Sequence, residues 1–465
     1  MYYTSIDLFA GPGGLSAGLK GVNIFPLIAV EWSQRTVETY QASHNAEVLP
    51  LEDYLASPFK YIHLFKKQPL KNCRTLLIYG DIRDVSEELI DRILRERYGR
   101  TTVDIVTGGA PCESFSLAGT RTKNDERDNL FLNLERIAKH VDAKMLLFEN
   151  VKGLLSKNNP NGGTMYNLIC DELERPSFNG VAFKLASRDK SEVLLKAMNY
   201  GAPQARERVF LVGINDKYPI NEYNIEFSYP PITHGPDKQY PYVTVEDAIM
   251  DLPQVASKEG EEVSEYKVNT SVVTLPHKKA YLEFIGGITL PRPPHLAHLE
   301  GTINSHIGPG HTDKMLMRFT YIKQGEGMKP AAERLIAQEQ QSLRDMYFPK
   351  KLYGARNRRL QLDKPSFTVT SHCLDEMVHP VLNRSITPRE AARLQTFPDW
   401  YQFKGPYVKF HSDPEQDRYE QIGDAIPPIL GYVLGKQMVQ TLKAIEEYEK
   451  QLPTIASQVQ LELEL

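Results

Sequence analysis

Ile6-Asp7-Leu8-Phe9-Ala10-Gly11-Pro12-Gly13-Gly14-Leu15-Ser16-Ala17-Gly18-Leu19 commits the start of the chain to one local fold: strand, glycine-rich turn, helix. In an α/β protein such a turn brings backbone N–H groups and a helix N-terminus against a polar ligand. Two further strands end in carboxylates. The run Phe25 to Val30 is followed by Glu31-Trp32, and Leu76-Leu77-Ile78-Tyr79 by Gly80-Asp81-Ile82. A carboxylate some 20 residues beyond the glycines suits a ribose diol. Trp32 could stack on an adenine, and Asp81 could accept from an exocyclic amine. The three strand ends together point to an adenosine-type cofactor. A nicotinamide dinucleotide fits less well, because Ser16 stands where its G-x-G-x-x-G fingerprint needs a third glycine.

A second glycine turn follows the apolar run Val103 to Val106: Thr107-Gly108-Gly109-Ala110-Pro111-Cys112-Glu113-Ser114-Phe115-Ser116. A strand end, two glycines and a stiffening proline are how a nucleophile is presented. Taken alone, the turn is more often a place for a buried, inert cysteine. The stretch after it, Gly119 to Asp128, is polar, carries three basic residues and reads as a surface loop. Beyond an amphipathic helix (Leu130 to His140), the buried strand Met145 to Phe148 ends in Glu149-Asn150-Val151. Further on, an extended Gln204-Ala205-Arg206-Glu207-Arg208 would set Gln204, Arg206 and Arg208 on one face. Two guanidiniums there need carboxylates, phosphates or a substrate.

The 465 residues suffice for two domains, and 41% hydrophobic with 25% charged residues describes an ordinary water-soluble chain. No membrane-length apolar run and no signal-like start are present, so the cytoplasm is the expected compartment. The four cysteines (Cys73, Cys112, Cys170, Cys373) lie far apart, which supports neither a disulfide framework nor a metal site. The net charge of −4 says nothing for or against nucleic acid, which needs only a local basic face. Such a face is offered by Arg318 to Lys364, with 11 Lys/Arg against 5 Asp/Glu. Its densest part carries Arg356, Arg358 and Arg359 among Tyr and Asn, residues suited to phosphates and base edges but also to a plain solvated surface. From about Asn215 to Asn383, clustered prolines and weak periodicity predict a second, loop-rich domain. Thr387-Pro388-Arg389-Glu390 opens a capped helix, and Tyr419 to Pro428 leads into a long one from Ile429 to about Tyr448. Pro453 to Leu465 reads as a weakly structured tail.

In this order the segments resemble the DNA (cytosine-5) methyltransferases. The motifs are DLFAGPGG (Asp7–Gly14), VEW (Val30–Trp32), GDI (Gly80–Ile82), GGAPCESFS (Gly108–Ser116), ENV (Glu149–Val151), QARERV (Gln204–Val209), TPREAARLQTFPD (Thr387–Asp399) and QIGDAIPP (Gln421–Pro428). They cover residues 4–215 and 384–440. Two departures stand out: Glu113 replaces the usual Gln after the cysteine, and Asp424 replaces the usual Asn of the last motif.

The resemblance implies an α/β fold, a Rossmann-like S-adenosylmethionine-dependent methyltransferase sheet with helices on both faces, and a smaller loop-rich target-recognition domain. A discontinuous catalytic domain would span 1–215 and 415–450, the recognition domain and hinge 216–414, and the tail 451–465. The activity implied is methyl transfer from S-adenosylmethionine to C5 of a cytosine flipped out of a specific double-stranded DNA sequence. Cys112 would be the nucleophile and Glu149 the hydrogen-bond donor. Arg206 would hold Glu149 and the base, with Arg208 in support. The cofactor would lie on Asp7, Phe9, Ala10, Gly11, Gly13, Gly14 and Leu15, with its ribose on Glu31. Its adenine would sit by Trp32, Asp81 and Ile82, and Gly109, Pro111, Leu130, Asp424 and Ala425 would complete the pocket. Ser114, Ser116, Arg121, Lys123, Gln204, Arg356, Arg358 and Arg359 would touch DNA, with the loop from Ser114 to Asp128 closing over the flipped base. A monomer paired with a cognate restriction endonuclease is the expected setting. A tRNA cytosine-5 methyltransferase on the same scaffold and a non-catalytic DNA-binding regulator are the competing readings. The long segment before Thr387 favours a duplex-reading domain over the first.

Overall fold

The β-branched and apolar runs assemble into one nine-stranded sheet in the computed structural model, which describes residues 2–70, 73–110, 129–159, 162–410 and 412–463, with side chains to Leu452. The strands are β1 (Tyr3–Leu8), β2 (Ile24–Glu31), β3 (Glu47–Pro50), β4 (Leu76–Tyr79), β5 (Ile105–Gly108), β6 (Met145–Val151), β7 (Phe183–Leu185), β8 (Leu194–Lys196) and β9 (Glu207–Asn215). Their order is β3-β4-β2-β1-β5-β6-β9-β7, with β8 also paired to β9. The first six are mutually parallel, and β9 runs antiparallel to β6, β7 and β8.

From β1 the chain moves outward to β2 on one side, and β5 is added on the other. The β1/β5 boundary is therefore the point where strand order reverses, and ligands of open α/β sheets bind in the crevice at the strand ends there. Leu8 is in register with Gly108, so both glycine turns leave the sheet side by side. Gly108 is also level with Phe148, so Glu149 on β6 follows immediately.

Both faces of the sheet are covered, as expected. One face packs Ile6, Leu8, Ile28, Ile78 and Val106 against Leu134, Ile137 and Ile169. The other packs Tyr3, Ile105 and Leu147 against Leu15 and Leu19 of the helix Gly14–Lys20 and against Leu430, Leu434 and Met438 of the helix Pro428–Leu463. These two helices meet through glycine. A Cβ on Gly14 would stand 2.2 Å from the Ile426 carbonyl oxygen and one on Gly18 2.0 Å from that of Pro428, while one on Gly431 would stand 2.8 Å from that of Leu15.

Two expectations change. The C-terminal helix runs on to Leu463, through Pro453 and the residues read as a tail, in a stretch rich in the helix formers Gln, Leu and Glu. Residues 216–414 do not pack as one unit. Val243, Val245, Leu282, Ile285, Ile303, Leu360 and Phe403 join the core beneath the sheet. A separate apolar cluster contains Phe319, Ile322, Met328, Ala331, Leu335, Phe348 and Val378, on the helices Asp313–Thr320, Met328–Ala337 and the segment around them. The prolines and weak periodicity concealed how many of these residues reach the main core. Among the described residues no helix is long and apolar enough to cross a membrane, and no cluster of side chains could hold a metal ion.

Gly18→Ala should cost about 2–3 kcal/mol, because the new methyl meets backbone rather than a movable side chain. Gly354→Ala, where nothing lies within 4 Å, should change stability by less than about 0.5 kcal/mol. Urea unfolding of the two variants checks the contrast.

Candidate active site at the switch point

The first glycine turn is held from both sides. Phe9, Gly11 and Gly13 all have positive φ (55°, 56° and 93°), so the chain reverses sharply after β1. The Gly11 N–H donates to Glu31 Oε2 at 2.9 Å, and Glu31 Oε1 accepts the Trp32 and Ser33 N–H groups, each at 2.9 Å. Glu31 thus ties the turn to the end of β2. Burial raises its pKa, and these three N–H groups oppose the rise. Behind the turn, His44 Nε2 lies 3.1 Å from the Gly13 carbonyl oxygen, and the Tyr401 hydroxyl donates to the Pro12 carbonyl. Among the described residues nothing lies within 4 Å of a Cβ placed on Gly11. Trp32, 70% exposed, stands free at the same edge. Asp81 is held by Arg83 through two Nε contacts at 3.0 Å, and that hydrogen bonding lowers its pKa. Ile82 is buried and Leu130 half-buried beside it in the same apolar layer.

One residue expected to touch a cofactor is turned into the protein. Asp7 accepts from Ser16 Oγ at 2.5 Å and Thr107 Oγ1 at 2.9 Å, joining the helix after β1 to β5. A buried carboxylate must be satisfied by such partners, and both oxygens are used. Burial pushes its pKa up to about 6. A Cβ on Gly13 would meet His44 and one on Gly14 the Ile426 carbonyl, so packing also requires glycine at both positions.

The second glycine turn meets Glu149. A Cβ on Gly109 would lie 2.7 Å from Glu149 Oε2, so no other residue fits there without displacing the carboxylate. Asn150 Nδ2 donates to the Ala110 carbonyl at 3.2 Å and fixes the turn as it leaves the sheet. Glu149, 8% exposed, pairs with Arg208 Nε at 3.0 Å. Burial raises its pKa, opposed by Arg208 first and Arg206 second. The two arginines therefore exchange their expected parts. Arg208, across β9 from the end of β6, makes the direct contact. Arg206 is fully buried and donates to the Val369 carbonyl at 2.8 Å and the Ala425 carbonyl at 3.0 Å, bracing the segment that follows Asp424. The period-2 reading failed because β9 begins only at Glu207. Cys112, Pro111, Ser114, Ser116, Arg121 and Lys123, with the loop to Asp128, lie outside the described residues.

The sequence and the fold both match known proteins over most of the chain. The sequence pattern of the family described as C-5 cytosine-specific DNA methylase matches residues 3–72 and 67–440. The chain belongs to this family. Among curated relatives, it is 29% identical over 436 residues to the Type II methyltransferase M.DdeI of Desulfomicrobium norvegicum, spanning 93% of this chain and 88% of that one. It is also 29% identical over 491 residues to the Type II methyltransferase M.AgeI of Thalassovita gelatinovora, spanning 94% and 99%. The fold matches the crystal structure of a prophage-encoded Escherichia coli protein described as a DNA modification methyltransferase. That match has a TM-score of 0.65 and 22% identity, over 95% of this chain and 99% of that one.

Two of the methylase's expected DNA contacts are structural instead. Gln204 is fully buried: its Nε2 donates to the Leu394 carbonyl at 2.8 Å and Gln395 Oε1 at 2.6 Å, and its Oε1 accepts the Val369 N–H. Arg359 is buried and donates to the carbonyls of Phe319, Ile322, His379 and Leu382 and to Asn383 Oδ1, at 2.5–2.9 Å. Adjacent residues of a strand face opposite ways, which a count of basic residues does not register. Arg358 is half-buried over the Phe367 ring at 3.4 Å. Arg356 remains exposed, and with Lys351 it flanks the Tyr353 ring, at 5.4 and 5.0 Å. Three supports went unrecognised: Thr107, Ser16 and Asn150. Asn150 lies inside the ENV motif and Thr107 near the end of the apolar strand β5, where a polar residue was the available signal; Ser16, on the helix after the first turn, carried none.

Folding raises the Asp7 pKa to about 6, so its contribution to stability is fully present below about pH 4 and is lost as pH rises through 6. Asp7→Asn should therefore gain on the wild type by on the order of 2–3 kcal/mol between pH 4 and pH 8. Denaturant unfolding at both pH values reads this. Arg359→Ala should lose at least about 2 kcal/mol by leaving buried carbonyls unmet.

Proposed function

We propose that the chain transfers a methyl group from S-adenosylmethionine to C5 of a cytosine flipped out of a specific duplex DNA sequence. In this reading it modifies DNA beside a cognate restriction endonuclease, as the Type II names of its relatives suggest. The observation that carries the proposal is the meeting of Gly109 with Glu149 beside the first glycine turn, which sets two substrate sites edge to edge. The cofactor fits the first: among the described residues the space at Gly11 is clear, Glu31 borders the turn and Trp32 is exposed for stacking. When bound, it supplies an electrophilic methyl on a sulfonium.

The remaining chemistry belongs to this chain. C5 of cytosine is a weak nucleophile until the Cys112 thiolate adds at C6 and makes C5 enamine-like. Negative charge developing toward N3 calls for a donor, and a neutral Glu149 provides one. Its burial favours that neutral form, while Arg208 fixes its direction and limits the shift. Once C5 has taken the methyl, loss of its proton restores the ring and expels the thiolate. The base must leave the helix to reach the site, at a cost of a few kcal/mol that pocket contacts offset. The segment with its own core, Asp313 to Val378, is the recognition unit. Its exposed Lys350, Lys351, Tyr353 and Arg356 present cations and an aromatic ring to the duplex.

Cys112→Ser should abolish tritiated-methyl incorporation into DNA while S-adenosylmethionine still binds. Full activity in that variant contradicts the proposal, and incorporation into tRNA but not DNA moves the substrate class. Arg356→Ala should lower the salt slope of DNA binding by about one unit without affecting folding.

A further inference from the structure

Asp424 ends the helix Arg418–Asp424, and the residues after it are wedged into the switch point. The Ala425 carbonyl accepts from Arg206, the Ile426 carbonyl lies against Gly14, and Ile426 Cδ1 would lie 3.7 Å from a Cβ on Gly109. On the other side, Asp424 Oδ2 accepts from Gln416 Nε2 at 2.7 Å, and Gln416 Oε1 accepts from Thr36 at 2.9 Å. Thr36 Oγ1 also lies 3.0 Å from Ser33 Oγ, and the Ser33 N–H is held by Glu31. The segment Asp424 to Ile426 therefore runs from both glycine turns to the hydrogen-bond chain that ends at the carboxylate anchoring the first of them.

Asp424 is exposed to solvent, with Arg206, Arg208, His372 and Glu420 near enough to act on its charge. Among the described residues only Gln416 donates to it, and none forms a salt bridge with it. Among the described residues, two of the cations nearby have other partners, Arg208 in Glu149 and Arg206 in two carbonyls. A carboxylate so placed gains most from a ligand that brings a positive charge.

Taking the cofactor reading above as given, we propose that Asp424 makes the cleft prefer the positively charged sulfonium donor over its neutral thioether product. Methyl transfer leaves the sulfur uncharged, so the interaction with Asp424 disappears when the reaction is complete. The spent cofactor then lacks the attraction that drew the fresh one in. Asp424 is thus a specificity residue acting on the exchange of product for donor.

Isothermal titration of the full chain at pH 8 with S-adenosylmethionine, and separately with S-adenosylhomocysteine, tests this. In Asp424→Asn the affinity for S-adenosylmethionine should fall about ten-fold, the worth of one partly screened charge. The affinity for S-adenosylhomocysteine should change less than about two-fold. The wild type alone gives a second reading. Raising ionic strength from about 0.05 to about 0.5 M should narrow its preference for the sulfonium, because salt screens an open-sided charge. Equal loss for both ligands in the variant, or a preference indifferent to both substitution and salt, overturns the inference. If the wild type binds neither ligand, the cofactor reading itself fails.

Discussion

Gly109 lies so close to Glu149 that a methyl group there would collide with the carboxylate. That closeness requires β5 and β6 to be parallel neighbours in one register, with Gly108 beside Phe148. It requires the turn after β5 to stay put, which Asn150 ensures through the Ala110 carbonyl. The C-terminal segment must also return to the same place, because Arg206 and the glycines of the first helix hold Ala425 and Ile426 between the two turns. Residues from four distant parts of the chain are thereby fixed around one crevice by backbone contacts that tolerate no extra atom.

The electrostatics follow from the packing. Glu149 is buried, which favours its neutral form, and it is paired with Arg208, with Arg206 nearby, which favour its charged form. A carboxylate under two opposed influences can keep a proton and still be held in direction, as a hydrogen-bond donor to a developing anion must be. Asp7, equally buried, meets only neutral hydroxyls and keeps a raised pKa of about 6. Its work is structural, joining the first turn to β5 from beneath. The two residues show how the same side chain is given chemistry in one place and support in another by its partners alone.

The strands and glycine turns were legible in the sequence because apolar runs and glycines act locally. Glu149 and Arg208 could be named from their motifs, but not their pairing, which depends on β9 lying antiparallel beside β6. Gln204, Arg206 and Arg359 looked like ligand-binding groups because polar residues at such positions are costly unless partnered. The partners proved to be main-chain carbonyls and amides scattered between Phe319 and Ala425, which no local pattern reveals. For the same reason residues 216–414 looked like one loose domain, although much of this segment completes the main core and only the part around Phe319 to Phe348 and Val378 has its own.

The central claim, that the two turns bring a cytosine and a methyl donor together for attack through Cys112, has a direct chemical test. Fluorine in place of hydrogen at C5 cannot be lost as a proton, so the covalent adduct should persist after methyl transfer. The protein would be incubated with S-adenosylmethionine and DNA in which 5-fluorocytosine replaces cytosine, then digested and mapped by mass spectrometry. A denaturation-resistant adduct on the peptide containing Cys112 is the predicted result. No adduct with DNA that is bound, or an adduct on any other residue, would contradict the account.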